Sequence, residues 1–349
     1  MDGNKERIAM VDFWTVSDSD GKPLGHGAKV GNEYFDYLKD NFAITHYVNN
    51  CIKPFITNSD KVAFKASISD GYNKLRRVLG NFICIKEAYD KEETIWFYVP
   101  DIYLFVFILL LRKGKRKIAV NVYEEYQTNK IKKWIFYIAL KKIDLIFVTN
   151  VELNRSILRG VYIPDYAYNE DKYGRYRKLK KKNRVICVGT MNEKKLIREA
   201  VSVFSQNEYP LYIVGQFTSK ETYEYLLSVK TNNVVIENRY VDSEEYYTLL
   251  GSSKYCLVPY DSDFYKKRTS GVIQESLFCD SIPVSNKDIL DFAGVPGIGY
   301  DNIIELEKFD FNTEQDDEIY MMYDEIRKKT YSNSIIKEKV INEFEKILD

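Results

Sequence analysis

Lys266-Lys-Arg-Thr-Ser-Gly-Val-Ile-Gln-Glu-Ser-Leu-Phe-Cys-Asp-Ser-Ile-Pro-Val284 follows the apolar run Lys254-Tyr-Cys-Leu-Val-Pro-Tyr260. The whole reads as a strand, a basic loop, a helix and a short buried strand. Ser270 suits a helix N-cap, and Gly271 leaves the first turn open to close approach. A bare helix start beside Lys266, Lys267 and Arg268 is an anion site, because unpaired amides and the helix dipole point at it. Glu275 lies four residues after Gly271, on the same helix face. A diphosphate at the helix start would leave a neighbouring sugar hydroxyl near the Glu275 carboxylate. Amides on phosphate and a carboxylate on ribose are how a nucleotide is held.

Outward from this segment, strands and helices alternate. Before it come strands at Arg184–Gly189, Leu211–Gly215 and Val234–Glu237, with helices expected at Glu193–Phe204, Lys220–Ser228 and Ser243–Leu250. Residues 162–182 break the rhythm with Pro164, five interleaved tyrosines and a basic run, and read as an inter-domain connection. Ahead of it the alternation recurs: strands at Ile8–Phe13, Ala43–Val48, Thr94–Val99, Lys117–Tyr123 and Asp144–Thr149, and helices near Ala28–Leu38, after the capping Asp101, and at Ile131–Lys142. Near-continuous apolar strands between helices predict parallel sheets covered on both faces. The expected fold class is therefore α/β, with two Rossmann-like domains facing each other across a cleft. Residues 1–165 form the first domain, 166–312 the second, and 313–349 a helical tail packing back on the first. Ligands of such sheets bind at the carboxyl ends of the strands.

Composition sets bounds. A chain of 349 residues with 45% hydrophobic content suits two packed domains. No apolar run approaches the roughly 20 residues needed to span a bilayer, and no basic start followed by an apolar stretch marks a signal peptide. Five cysteines stand singly without CxxC spacing, which favours buried thiols in a reducing, cytoplasmic setting over disulfides or a zinc site. Charge is segregated: residues 1–182 hold 32 Lys/Arg and 22 Asp/Glu, and residues 183–349 hold 19 and 29. Two readings stand, an incidental acidic tail or a basic first domain that meets an anionic membrane or polyanionic acceptor. The helix Lys130–Lys142 is likewise either core-facing or a membrane-surface element with Trp134 at the interface.

Thr269-Ser-Gly-Val-Ile-Gln-Glu-Ser-Leu277 and Ile282-Pro-Val284 resemble the donor-binding helix of GT-B glycosyltransferases of the family 4 type. The resemblance covers most of the chain and is better in the second half. It implies that the Arg268, Thr269, Ser270, Gly271 and Val272 segment binds a nucleoside diphosphate and that Glu275 binds its ribose. Gly189 matches the family's glycine after the first strand of the second domain. Thr190 stands where arginine is usual, and Lys194 or Lys195 supplies the charge; spacing does not choose between them. Tyr240 falls near the family's nucleobase pocket and either stacks on a base or is one of 29 ordinary tyrosines.

In the first domain, Gly25-His26-Gly27 occupies the place of the family's Gly-rich loop. His26 either acts as a general base or only shapes the turn. Glu124 or Glu125, ending a strand, either contacts acceptor or sugar or is solvated. Lys267 replaces the glutamate that the family often places eight residues before the ribose ligand, and Asp280 replaces a helix-ending glycine. Asp261-Ser-Asp263 reads as a loop cap, with no metal site expected.

The resemblance implies transfer of a sugar from a nucleoside-diphosphate sugar to a glycan or lipid-linked acceptor hydroxyl, in surface polysaccharide synthesis. It further implies retention, with inversion kept open by His26. Protein cations on the departing diphosphate and the lack of a DxD-type pair in the right context point to metal independence, with no cofactor beyond the donor. Peripheral contact with the inner face of a membrane and no nucleic-acid partner complete the expectation. The rivals are a nucleotide-sugar epimerase of the same fold and a non-catalytic nucleotide-binding scaffold.

Overall fold

A computed structural model describes residues 5–15, 27–49, 52–56, 74–124, 129–265, 268–311 and 315–349. Its contacts divide the chain into two compact units, Met1–Asp165 with Ser334–Asp349, and Tyr166–Asn333. The first holds six strands, β1 (Arg7–Asp12), β2 (Ala43–Val48), β3 (Thr94–Phe97), β4 (Lys117–Val122), β5 (Leu145–Val148) and β6 (Gly160–Tyr162). They pair in parallel in the order β2-β1-β3-β4-β5-β6. The second holds β7 (Lys182–Val188), β8 (Leu211–Gly215), β9 (Val234–Asn238), β10 (Ser253–Val258), β11 (Ile282–Asn286) and β12 (Ile298–Tyr300). Their order is β12-β11-β10-β7-β8-β9, again parallel throughout. This is the two-sheet α/β architecture expected from the sequence.

Each sheet reverses direction once. Chain order departs to one side from β1 and returns on its other side at β3; in the second sheet the reversal lies between β7 and β10. At such switch points neighbouring loops diverge and open a crevice at the carboxyl edge. Right-handed crossovers put helix Gly27–Leu38 on one face of the first sheet and helices Lys74–Lys91, Ile102–Leu110 and Lys130–Leu140 on the other. Ring contacts agree: Tyr34 stacks on Trp96 at 4.5 Å, while Phe105 meets Phe136 at 5.0 Å on the opposite side. Asp101 caps its helix as expected, accepting from Tyr103 N at 3.2 Å.

Two boundaries differ from the sequence reading. The expected connection, residues 162–182, contains β6's last residue, helix Glu170–Arg177 and the start of β7. Asn169 caps that helix, and Tyr173 and Tyr176 are buried in the second unit, with Tyr173 edge-on to Tyr247 at 5.2 Å. Tyrosine bodies that read as linker polarity are core. The expected tail from 313 also divides. Helix Gln315–Lys329 belongs to the second unit, where Tyr323 donates to Pro296 O at 3.0 Å. Helix Asn333–Leu348 lies for nearly its whole length in the first, where Phe344 meets Trp96 at 5.2 Å and Phe147 at 5.9 Å.

Candidate functional site

The switch point of the second sheet gathers most of the residues singled out in the sequence. Gly189 leaves β7 with φ of 101°, which glycine alone adopts without strain, and a Cβ there would meet the Lys195 ammonium at 4.0 Å. Gly215 makes this possible: a Cβ on it would lie 1.8 Å from Gly189 O. Thr190 is half-buried beside Gly189.

The expected helix at Glu193 starts later, as Ile197–Phe204. The backbone of residues 194–196 is committed elsewhere. Leu196 N donates to Pro259 O at 2.7 Å, Asp261 N donates to Lys194 O at 3.1 Å, and Lys195 bridges Tyr260. Both lysines are thus tied to the end of β10, not to a helix turn. Their environments separate what spacing left open. Lys194 is exposed, with its ammonium 3.7 Å from the centre of the Phe264 ring, and the Arg268 guanidinium lies 4.1 Å from the same ring. Lys195 is half-buried, its ammonium 5.4 Å from the Tyr260 ring, and burial holds it below the ordinary lysine value. No carboxylate pairs with Lys195 among the described residues. A cation kept from water without a counter-ion favours a bound anion.

Helix Gly271–Phe278 begins with Ser270 as its N-cap, whose hydroxyl accepts from Ile273 N at 3.5 Å. Ser270 also bonds to Tyr260, whose phenol burial pushes up to about 12, and Tyr260 stacks on Tyr265 at 4.0 Å. At Gly271 the space a side chain would take is filled by Tyr166, not left open as the sequence suggested. A Cβ there would fall 2.5 Å from the Tyr166 ring, so the glycine seats Tyr166 against the helix start. Thr269 and Val272 flank these positions and are half-buried. Glu275 is only 4% exposed; its Oε1 accepts from Tyr247 at 2.8 Å and its Oε2 from Tyr246 at 2.9 Å. Those phenols, invisible as partners in the sequence, fix the carboxylate's orientation.

Other expected residues lie apart from this cluster. Tyr240 is exposed in the turn after β9, on the far side of β8 from β7. Asp261 Oδ1 accepts from Asp263 N at 3.0 Å, a cap on helix Ser262–Tyr265. Gly25, His26, Glu125, Lys266 and Lys267 lie outside the described residues. Among the described residues no group of three or more His, Cys, Asp or Glu side chains is arranged to hold a metal ion.

In the first unit the switch point presents a residue that sequence reading missed. Asp12 ends β1 fully buried and accepts from Trp14 N and Thr15 N at 3.0 Å and from Thr15 Oγ1 at 2.5 Å. Burial raises its carboxyl from 3.8 to about 6, against those hydrogen bonds. A Cβ on Gly27 would lie 2.0 Å from Thr15 Oγ1 and 2.5 Å from Asp12 Oδ2, so Gly27 lets the first helix start against this turn. Glu124 is half-buried just past β4.

Solved structures share this fold. A glycosyltransferase from Rickettsia africae matches over 99% of this chain and 100% of its own, with a TM-score of 0.68 and 15% identity. The Anabaena protein Alr3699/HepE, crystallised with UDP and glucose, matches over 98% and 100% with a TM-score of 0.71 and 10% identity. A UDP-N-acetylglucosamine 2-epimerase matches over 97% and 95% with a TM-score of 0.59 and 11% identity. The architecture is that of GT-B glycosyltransferases. No protein-family model and no curated protein sequence matches the chain.

Proposed function

We propose that this chain is a glycosyltransferase of the family 4 type that moves a sugar from a nucleoside-diphosphate donor to a glycan or lipid-linked hydroxyl. The observation that carries the reading is the second sheet's switch point. There a half-buried Lys195, without a carboxylate partner among the described residues, lies beside Gly189, and a serine-capped helix begins at Gly271. The neighbouring structure solved with UDP and glucose supports a uridine nucleotide as the first donor to try.

Cleavage of the anomeric C–O bond leaves negative charge on the diphosphate. Lys195, Arg268 and the amides after Ser270 would stabilise that charge as it develops, which lowers the barrier more than it tightens the ground state. In this account protein cations take the diphosphate charge and no metal is required. Glu275, oriented by Tyr246 and Tyr247, would accept from the ribose hydroxyls. Retention at the anomeric carbon follows the family resemblance; His26 acting as a general base would instead give inversion. The acceptor would be met at the inner face of a membrane, in surface polysaccharide synthesis.

The epimerase neighbour supports a second reading. Incubation with UDP-glucose or UDP-N-acetylglucosamine, with and without glycan acceptors, separates them. Acceptor-dependent UDP release with a glycosylated product supports transfer. An epimerised donor formed without acceptor supports the rival. Nucleotide binding with neither product supports a scaffold.

A further inference from the structure

Three neighbouring helices of the first unit, Lys74–Lys91, Ile102–Leu110 and Lys130–Leu140, cover one face of its sheet. The middle one, IYLFVFILL, is apolar on every side. Leu104, Phe105, Phe107 and Ile108 point inward and are buried, yet Val106 is only half-buried and Leu110 is 69% exposed. An apolar helix of this kind ordinarily has cover all round. The flanking helices carry exposed apolar residues of their own. Leu79 and Ile83, one turn apart, are exposed on one side, and Ile131 and Trp134, 70% and 63% exposed, on the other.

On the first helix Lys86 and Lys91 pair with Asp90 and Glu87, but along the second and third helices the rim is cationic. Between residues 102 and 143 the sequence holds ten Lys/Arg and only two acidic residues, Glu124 and Glu125. Arg112, Lys115, Lys130, Lys132 and Lys141 are exposed, and among the described residues none of them pairs with a carboxylate. Broad apolar surface with an indole at its edge and unpaired ammonium groups around it matches a lipid interface with anionic headgroups. An acidic protein would satisfy the rim but needs no such extent of uncovered aliphatic surface.

We propose that this three-helix face docks on an anionic bilayer surface. Trp134, Ile131, Leu110 and Ile83 enter at headgroup depth while the surrounding lysines and arginine meet lipid phosphates. This gives the peripheral membrane contact of the sugar-transfer reading a defined surface. A vesicle assay without sugar donor tests it apart from transfer, so the two can fail separately.

The test is co-sedimentation of the full chain with phosphatidylcholine vesicles and with vesicles of equal phosphatidylcholine and phosphatidylglycerol. Binding to the anionic vesicles, weakened by salt, is expected. Trp134→Glu should weaken it about tenfold or more by losing the indole and adding a like charge. Lys130→Ala with Lys132→Ala, which leaves the apolar surface intact, should weaken it severalfold and flatten its salt dependence. Circular dichroism melts confirm that the variants fold. A chain that stays in the supernatant with anionic vesicles at low salt overturns the proposal. So does a vesicle-free dimer, seen by sedimentation velocity, that Trp134→Glu dissociates.

Discussion

The Tyr247 phenol donates to Glu275 Oε1 at 2.8 Å inside the second unit. A buried carboxylate is costly unless hydrogen-bonded, and here each oxygen has a tyrosine. Tyr247→Phe removes one bond to a charged group and should lower unfolding stability by about 1.5–3 kcal/mol in urea titration. Tyr246→Phe, at a half-buried site, should cost less. If Glu275 grips ribose, both variants also weaken nucleoside diphosphate more than inorganic diphosphate.

Asp280 ends helix Gly271–Phe278's turn with φ of 53°, where glycine would be the ordinary residue. The structure gives a reason for aspartate. Its carboxylate joins Arg177, through Nε at 3.0 Å, to Arg327, a buried guanidinium that also donates to Leu277 O at 2.7 Å. Asp280→Gly relaxes the backbone yet strands part of that charge. It should destabilise the chain by about 2–4 kcal/mol, and Asp280→Asn by a similar amount. Equilibrium denaturation checks both; a gain in stability for Asp280→Gly would show that the bridge contributes less than the strain.

His46 sits buried in β2 against Phe35, with neither ring nitrogen hydrogen-bonded, and burial lowers it from 6.5 to about 4. Between those values the unfolded chain takes a proton that the folded state refuses, so this residue's contribution falls as pH drops from 6.5 to 4. The loss amounts to about 3 kcal/mol. Asp12, raised to about 6, and Asp165, raised to about 8 by burial and by Glu33, act in the opposite sense. The comparison is therefore of wild type with His46→Phe across that range. The difference in stability should move in favour of the variant on acidification.

Much of the fold was legible because it rests on pattern. Continuous apolar strands between helices foretold parallel sheets, and Ser270 and Asp101 announced helix starts that hydrogen bonds show. The candidate site was legible where local geometry carries it, as at Gly189. It was not legible where that geometry depends on partners distant in sequence. Nothing near residue 275 pointed to Tyr246 and Tyr247, and nothing near 271 to Tyr166. The helix expected at Glu193 failed for the same reason: its first turn is drawn off by Pro259 and Asp261, residues more than sixty positions away. Asp12 was overlooked because a lone aspartate ending a strand reads as a turn residue until the sheet order makes it a switch point.

The most direct measurement is calorimetric titration of UDP, GDP and dTDP into wild type, Lys195→Met and Glu275→Gln. The account predicts that at least one nucleotide binds and that Lys195→Met weakens it about tenfold or more, the worth of one charge-assisted contact. Because Lys195 is already held below 10.5, wild-type affinity should fall as pH rises through its depressed value, and the variant should lack that alkaline decline. Glu275→Gln should weaken the nucleotide while sparing inorganic diphosphate. Absence of binding by all three nucleotides, or unchanged affinity in both variants, contradicts the assignment of this switch point as the donor site.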